Sequence, residues 1–168
     1  MSLFILPLTS AQQASTPNAS LQGQNITGTA QTANLTGTTQ TANLTETTQT
    51  GTAQTDNLNG TAANDTIFGG AGFDNITGND GNDEIDGGVG GDNILGEAGD
   101  DVIFGGIGND NISGGEGNDD LYGGPGADIL KGGSGSDHFD CGGSSDTISN
   151  LNISEGDIAL PNCEKMTR

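Results

Sequence analysis

The feature that most constrains this chain is a period of nine residues. From 69 to 140 it reads GGAGFDNIT (69–77), GNDGNDEID (78–86), GGVGGDNIL (87–95), GEAGDDVIF (96–104), GGIGNDNIS (105–113), GGEGNDDLY (114–122), GGPGADILK (123–131) and GGSGSDHFD (132–140), always with Gly first and fourth and Asp sixth. Weaker copies flank this run: GTAQTDNLN (51–59), GTAANDTIF (60–68) and CGGSSDTIS (141–149). Across all eleven, position six is Asp, from Asp56 to Asp146, and position eight is Leu, Ile or Phe, from Leu58 to Ile148. Self-similarity at a fixed short period is the mark of a stacked-repeat architecture.

One apolar residue between two polar ones reads as a short strand whose middle side chain points inward. The six residues before it must turn the chain, and glycines permit the positive φ angles of tight turns. Two turns and two strands make a flattened coil of 18 residues, and successive coils stack as parallel strands about 4.8 Å apart. The fold class expected is all-β.

Composition rules out a conventional core: 30% of residues are hydrophobic, 31 are Gly and none is Trp. Such a chain would ordinarily be disordered, but random Gly/Asp-rich sequence would not hold one phase from 51 to 149. The 23 acidic residues face only Lys131, Lys165 and Arg168, a net charge of −20. Self-repulsion then opposes compaction unless cations join the structure, and nucleic acid and anionic membrane are excluded as partners. No stretch approaches the roughly 20 apolar residues of a membrane span, so the chain is not expected to be an integral membrane protein.

Stacking puts the position-six residues in two rows: Asp65, Asp83, Asp101, Asp119 and Asp137 on one edge, Asp74, Asp92, Asp110, Asp128 and Asp146 on the other. Carboxylates about 4.8 Å apart repel by roughly 1 kcal/mol in water and several times that at lower dielectric, so such rows need a counterion. Calcium suits them, because it accepts carboxylate and carbonyl oxygens at flexible geometry. One His and two Cys cannot supply the shells that zinc or copper prefer.

The motif GGxGxDxUx resembles that of the RTX (repeats-in-toxin) family, the hemolysin-type calcium-binding repeat. The resemblance covers 51–149 and is strongest over 69–140. It implies a right-handed parallel β-roll (β-solenoid) in which the first six residues of each repeat bind calcium between adjacent turns and the last three form the strand. Carried over residue by residue, the side-chain ligands are Asp74, Asp83, Asp92, Asp101, Asp110, Asp119, Asp128 and Asp137, with Asp65 and Asp146 as weaker sites. Asn79 and Glu97 depart from the second Gly, and Gln54, Ala63 and Ser144 from the fourth. One inward residue in nine is little apolar burial to set against the entropy of ordering so Gly-rich a chain, so folding is expected on meeting millimolar extracellular calcium.

The ends divide as follows. Residues 1–11 contain the apolar run SLFILPL followed by Thr9, Ser10 and Ala11, read as a truncated signal peptide. Residues 12–50 are a Thr/Asn/Gln-rich stalk or degenerate repeats, largely disordered, with Ala33 and Ala42 where Asp would stand, sequons at Asn18, Asn25, Asn34 and Asn43, and a break of register over 46–50. Residues 150–168 form a C-terminal cap, with Ile153, Ile158 and Leu160 available to cover the open end of the stack. Cys141 and Cys163 are expected to form a disulfide.

No enzyme signature emerges. HExxH is impossible with one His, no GxSxG occurs, and Asp83, Glu84 and Asp86 lack the pocket a glycosidase pair would need. His138 reads as a solvated outward side chain. Phe68, Asp86, Phe104, Tyr122 and Asp140 stack along one face, and Asn57, Asn75, Asn93 and Asn111 form an amide ladder on the other. The reading is a secreted or cell-surface monomer that binds several calcium ions, with any surface partner unidentified. Two other readings fit parts of the sequence. An adhesin or ice-binding-like β-roll would need a flat Thr array, but only Thr66, Thr77 and Thr147 sit at outward strand positions. A secretion or folding tail of an enzyme or toxin would need a second domain to serve.

Overall fold

A computed structural model describes residues 29–34 and 45–167. The signal-peptide reading of 1–11, the sequons at Asn18, Asn25 and Asn43, the substitution at Ala42 and the disorder expected over 12–28 and 35–44 lie outside what is described, whereas Ala33 and Asn34 stand on a strand. Among the described residues there is no helix. The strands, in chain order, are β1 (Thr29–Asn34), β2 (Thr45–Thr50), β3 (Asn57–Asn59), β4 (Thr66–Gly72), β5 (Asn75–Asp80), β6 (Glu84–Gly90), β7 (Asn93–Ala98), β8 (Val102–Ile107), β9 (Asn111–Glu116), β10 (Asp120–Tyr122), β11 (Ile129–Ser134), β12 (His138–Asp140), β13 (Thr147–Ile148), β14 (Ile158–Ala159) and β15 (Lys165–Met166).

From β2 onward consecutive strands alternate between two parallel sheets, ordered β1-β2-β4-β6-β8-β10-β12-β14 and β15-β13-β11-β9-β7-β5-β3. Registers such as Ile85↔Ile103 and Ile94↔Ile112 are 18 residues apart, two nonapeptides. The chain is therefore a parallel β-solenoid. All eleven position-eight side chains, from Leu58 to Ile148, are buried between the sheets. Strand alternation produces this, since the one apolar residue of x-U-x faces in while its neighbours face out.

Several strands are longer than the three residues expected, because turns also pair with turns. Gly70, Ala71 and Gly72 register with Gly88, Val89 and Gly90, and the Gly108 N–H donates to the Pro125 carbonyl at 3.0 Å. Turn backbone groups must bond to something, and here their partners lie one coil away. The approach is so close that a Cβ on Gly108 would overlap the carbonyl oxygen of Gly90, which only glycine avoids.

The ends differ from the sequence reading. Residues 48–50 already run in the register of the roll: Gln49 pairs with Ile67 and is buried with 0% exposure. A polar residue occupies this inward site because its Nε2 donates to the Asn59 carbonyl at 2.8 Å. Strand β1 extends the same sheet but registers with β2 at a spacing of 16 residues, Thr29 on Thr45, not at the 18 of the repeats. In the cap, Ile153 and Ile158 are exposed at 62% and 61%. Leu151 and the two cysteines are buried instead, and Ala159 packs against the core. The reason is register: His138 pairs with Ile158 and Phe139 with Ala159, so alternation turns Ile158 outward. Cys141 and Cys163 are disulfide-bonded, their Cα atoms 5.1 Å apart.

Candidate functional site

The position-six aspartates are all buried, and stacking gives the two carboxylate oxygens different surroundings. From Asp74 to Asp146, Oδ1 accepts the backbone N–H of the equivalent Asp one coil earlier, as in Asp92 N–H to Asp110 Oδ1 at 2.8 Å and Asp83 N–H to Asp101 Oδ1 at 2.8 Å. The rows are thus hydrogen-bonded columns. One holds Asp56, Asp74, Asp92, Asp110, Asp128 and Asp146, each donating its N–H to the next Asp along. The other holds Asp65, Asp83, Asp101, Asp119 and Asp137, and Asp157 extends it, accepting the Asp137 N–H at 3.1 Å. Asp157 escaped the periodic reading because two inserted residues precede it and Ala159 replaces the apolar residue that follows. An Asp two positions before a small inward residue was its only signal.

The second oxygen is the chemically informative one. Oδ2 of Asp74, Asp83, Asp92, Asp101, Asp110, Asp119, Asp128, Asp137 and Asp146 is buried with no hydrogen-bond partner. Burying a carboxylate oxygen without a partner is costly. At the ends of the columns protein donors take this position. Asp56 Oδ2 accepts Thr52 N–H at 2.6 Å and its hydroxyl at 2.8 Å. Asp65 Oδ2 accepts Thr61 N–H at 2.6 Å and its hydroxyl at 2.9 Å, and Asp157 Oδ2 accepts Asn152 N–H at 2.6 Å.

From Asp74 to Asp137 each orphaned oxygen faces the Gly that opens its own repeat. A Cβ on Gly87 would lie 2.7 Å from Asp92 Oδ2 and 2.6 Å from the Gly105 carbonyl oxygen. At Gly105 both distances, to Asp110 Oδ2 and to the Gly123 oxygen, would be 2.7 Å. Among the described residues no three His, Cys, Asp or Glu side chains converge, so a cation here would be held by one or two carboxylates and completed by turn carbonyls. An all-oxygen donor set with an orphaned carboxylate oxygen fits calcium.

Without a cation most of these carboxyls hold their protons to higher pH than an ordinary Asp. Burial, only partly opposed by the N–H from the preceding Asp, pushes Asp74, Asp83, Asp110 and Asp119 up to about 6 and Asp101 to about 7. Asp92, Asp128 and Asp137 move the same way for the same first cause. Neighbouring carboxylates raise several further: Asp119, Asp83 and Asp100 act on Asp101, and Asp157 and Glu155 on Asp137. Exposed Asp100 moves down, because Asn118 donates to it from backbone and side chain.

The departures from the glycine pattern fall into two kinds. Asn79, Glu97 and Ser144 adopt φ values of 82°, 82° and 102°, the region used by the glycines they replace, so their turns persist. In the first two repeats the hydroxyls of Thr52 and Thr61 instead accept the N–H of Gln54 and Ala63 at 3.2 Å, a local turn closure. Outside the columns, the amide ladder is present: Asn75, Asn93 and Asn111 each donate through Nδ2 to the Asn one coil earlier, at 3.1, 3.2 and 3.3 Å. Phe104 and Tyr122 stack with centroids 4.7 Å apart. His138 Nδ1 lies 3.3 Å from Asp120 Oδ1 on the partly exposed outer face. Of the imagined glycosidase set, Asp83 is buried in its column while Glu84 is exposed.

A family model for the RTX calcium-binding nonapeptide repeat matches four times, over residues 50–85, 59–94, 86–121 and 113–148. No individual curated protein matches the chain. Periodic Asp columns, stacked glycine turns and these overlapping matches agree: the chain belongs to the RTX calcium-binding nonapeptide repeat family, and its β-roll is a calcium-binding structural module.

Proposed function

We propose that this protein is a secreted, non-enzymatic calcium-binding module whose roll folds on meeting extracellular calcium. The observation that carries this reading is the set of nine buried Oδ2 atoms without a donor. Asp74, Asp83, Asp92, Asp101, Asp110, Asp119, Asp128 and Asp137 supply the side-chain oxygens, and turn carbonyls supply the rest. Asp146 is a weaker site at the edge of the stack, and Asp65 is weaker because Thr61 already occupies its Oδ2. When bound, calcium neutralises each column. The chain's own residues fix the carboxylate through Oδ1, and glycine at the first position of the repeat lets Oδ2 and a turn carbonyl oxygen of the next coil approach one another without a side chain between them. Secretion is supported by the Cys141–Cys163 disulfide, a bond that persists in oxidising compartments.

The test is circular dichroism of the full chain in chelator and in millimolar calcium. β signal should appear with calcium, and magnesium should substitute poorly because it demands a smaller, near-octahedral shell. Identical β-rich spectra with and without chelator would refute the reading.

A further inference from the structure

The two Asp columns are chemically alike, but the turns that wrap them are not. The column of Asp74, Asp92, Asp110, Asp128 and Asp146 is wrapped by GGAGF, GGVGG, GGIGN, GGPGA and CGGSS, which contain no charged residue. This edge is apolar, with Phe73, Val89 and Ile107 exposed at 69%, 51% and 57%. The column of Asp83, Asp101, Asp119 and Asp137 is wrapped by GNDGN, GEAGD, GGEGN and GGSGS, which add Asp80, Glu97, Asp100 and Glu116. All four are exposed and stand on consecutive stacked turns, Asn79 registering with Glu97, Asp80 with Ala98 and Ala98 with Glu116. Glu155 joins the same edge from the cap, its Oε2 3.4 Å from the Gly135 nitrogen.

Resting on the calcium reading above, an ion between each pair of stacked coils brings two positive charges, whereas each coil adds one Asp to a column. A column whose turns carry no acid becomes more positive with each ion it takes, Asp86 beside Asp92 being the one outer carboxylate that acts on it, and the ions repel one another at coil spacing. The outer carboxylates offset this on one edge only. Asp100 is near enough to act on both Asp101 and Asp119, and over such a separation, within the screening length of about 8–10 Å at ordinary ionic strength, attraction for a cation survives in solution.

We infer that the two edges bind calcium unequally: the acidic edge, built on Asp83, Asp101, Asp119 and Asp137 with Asp80, Glu97, Asp100 and Glu116 around it, retains its ions at lower free calcium than the apolar edge built on Asp92, Asp110 and Asp128. The roll then has a tightly held structural column and a second column that responds to changes in calcium.

The experiment starts from the calcium-loaded full chain and lowers free calcium in buffered steps, following backbone amides by NMR: Gly81, Gly99 and Gly117 on the acidic edge, Gly90 and Gly108 on the other. The apolar-edge amides should leave their bound positions at free calcium about threefold or more above that at which the acidic-edge amides do. The variant Asp80→Asn/Asp100→Asn/Glu116→Gln keeps side-chain shape and oxygen acceptors and should bring the two transitions together. Glu84→Gln/Asp86→Asn, on the sheet face, should leave them apart. Coincident transitions in the unmodified chain, or an unchanged order in the triple variant, would overturn the inference while leaving calcium binding intact. Amides of neither edge responding to calcium would overturn both this inference and the reading it rests on.

Discussion

The hydroxyl of Thr61 donates to Oδ2 of Asp65 at 2.9 Å, filling the position that has no protein donor at any equivalent Asp from Asp74 to Asp146. Thr52 does the same for Asp56, and the Asn152 N–H closes the far end at Asp157. Protein donors therefore close both columns at their first coil and one column at its far end, at Asp157, and leave Oδ2 open from Asp74 to Asp146, which locates where a cation is needed.

Asp110→Ala should lower the number of bound calcium ions and raise the calcium midpoint of folding more than Asp56→Ala. The first removes an oxygen with no other partner; the second removes one already bonded to Thr52. Calorimetric calcium titration of both variants measures this, and equal effects would contradict the ranking.

Acid should stabilise the calcium-free roll. The folded carboxyls at Asp74, Asp83, Asp110 and Asp119 titrate near 6 and Asp101 near 7, against 3.8 for the ordinary group. Between those values the folded state binds more protons than the unfolded one. The stability they contribute is fully present below the unfolded value and is lost as pH rises through the folded ones. In chelator, β signal should grow as pH falls from about 7.5 to about 5, and the calcium midpoint should rise over the same range because protons compete with the metal. A calcium-free chain that loses β signal on acidification would show the sign to be wrong.

Ile103 and Ile107, four residues apart, should respond unequally to truncation. Ile103 is fully buried and Ile107 is 57% exposed. In the calcium-loaded roll Ile103→Ala should destabilise by about 2–5 kcal/mol, and Ile107→Ala by less than about 0.5 kcal/mol. Thermal unfolding at fixed calcium separates the two.

Reducing the Cys141–Cys163 bond, or replacing both cysteines with Ser, should fray the last coil first. Closing a loop of this length contributes about 3 kcal/mol. In a stack each coil depends on its neighbours, so amides near Asp137 and Asp128 should lose exchange protection at higher calcium than those near Asp101. Uniform loss of protection along the roll would show that the bond does not pin the cap.

The nine-residue phase by itself determined the stacked architecture, all eleven inward residues, the two Asp rows and the Asn57–Asn111 amide ladder. A strict short period leaves one way for identical coils to superimpose, and the two Cys had only each other. Tertiary structure decided what depends on contacts ten or more residues away. The Oδ1 and Oδ2 of one Asp are indistinguishable in sequence, and only stacking gives Oδ1 the N–H of the preceding coil. The five residues 46–50 interrupt the nine-residue phase in sequence, and Gln49 at an inward position gave no apolar signal, because burial of an amide depends on its acceptor, the Asn59 carbonyl. Asp157 and Ala159 looked like unrelated tail residues because a two-residue insertion hides their phase, which pairing with Asp137 and Phe139 restores. Side-chain periodicity is local and survives in one dimension; hydrogen-bond partnership between coils exists only once they lie on one another.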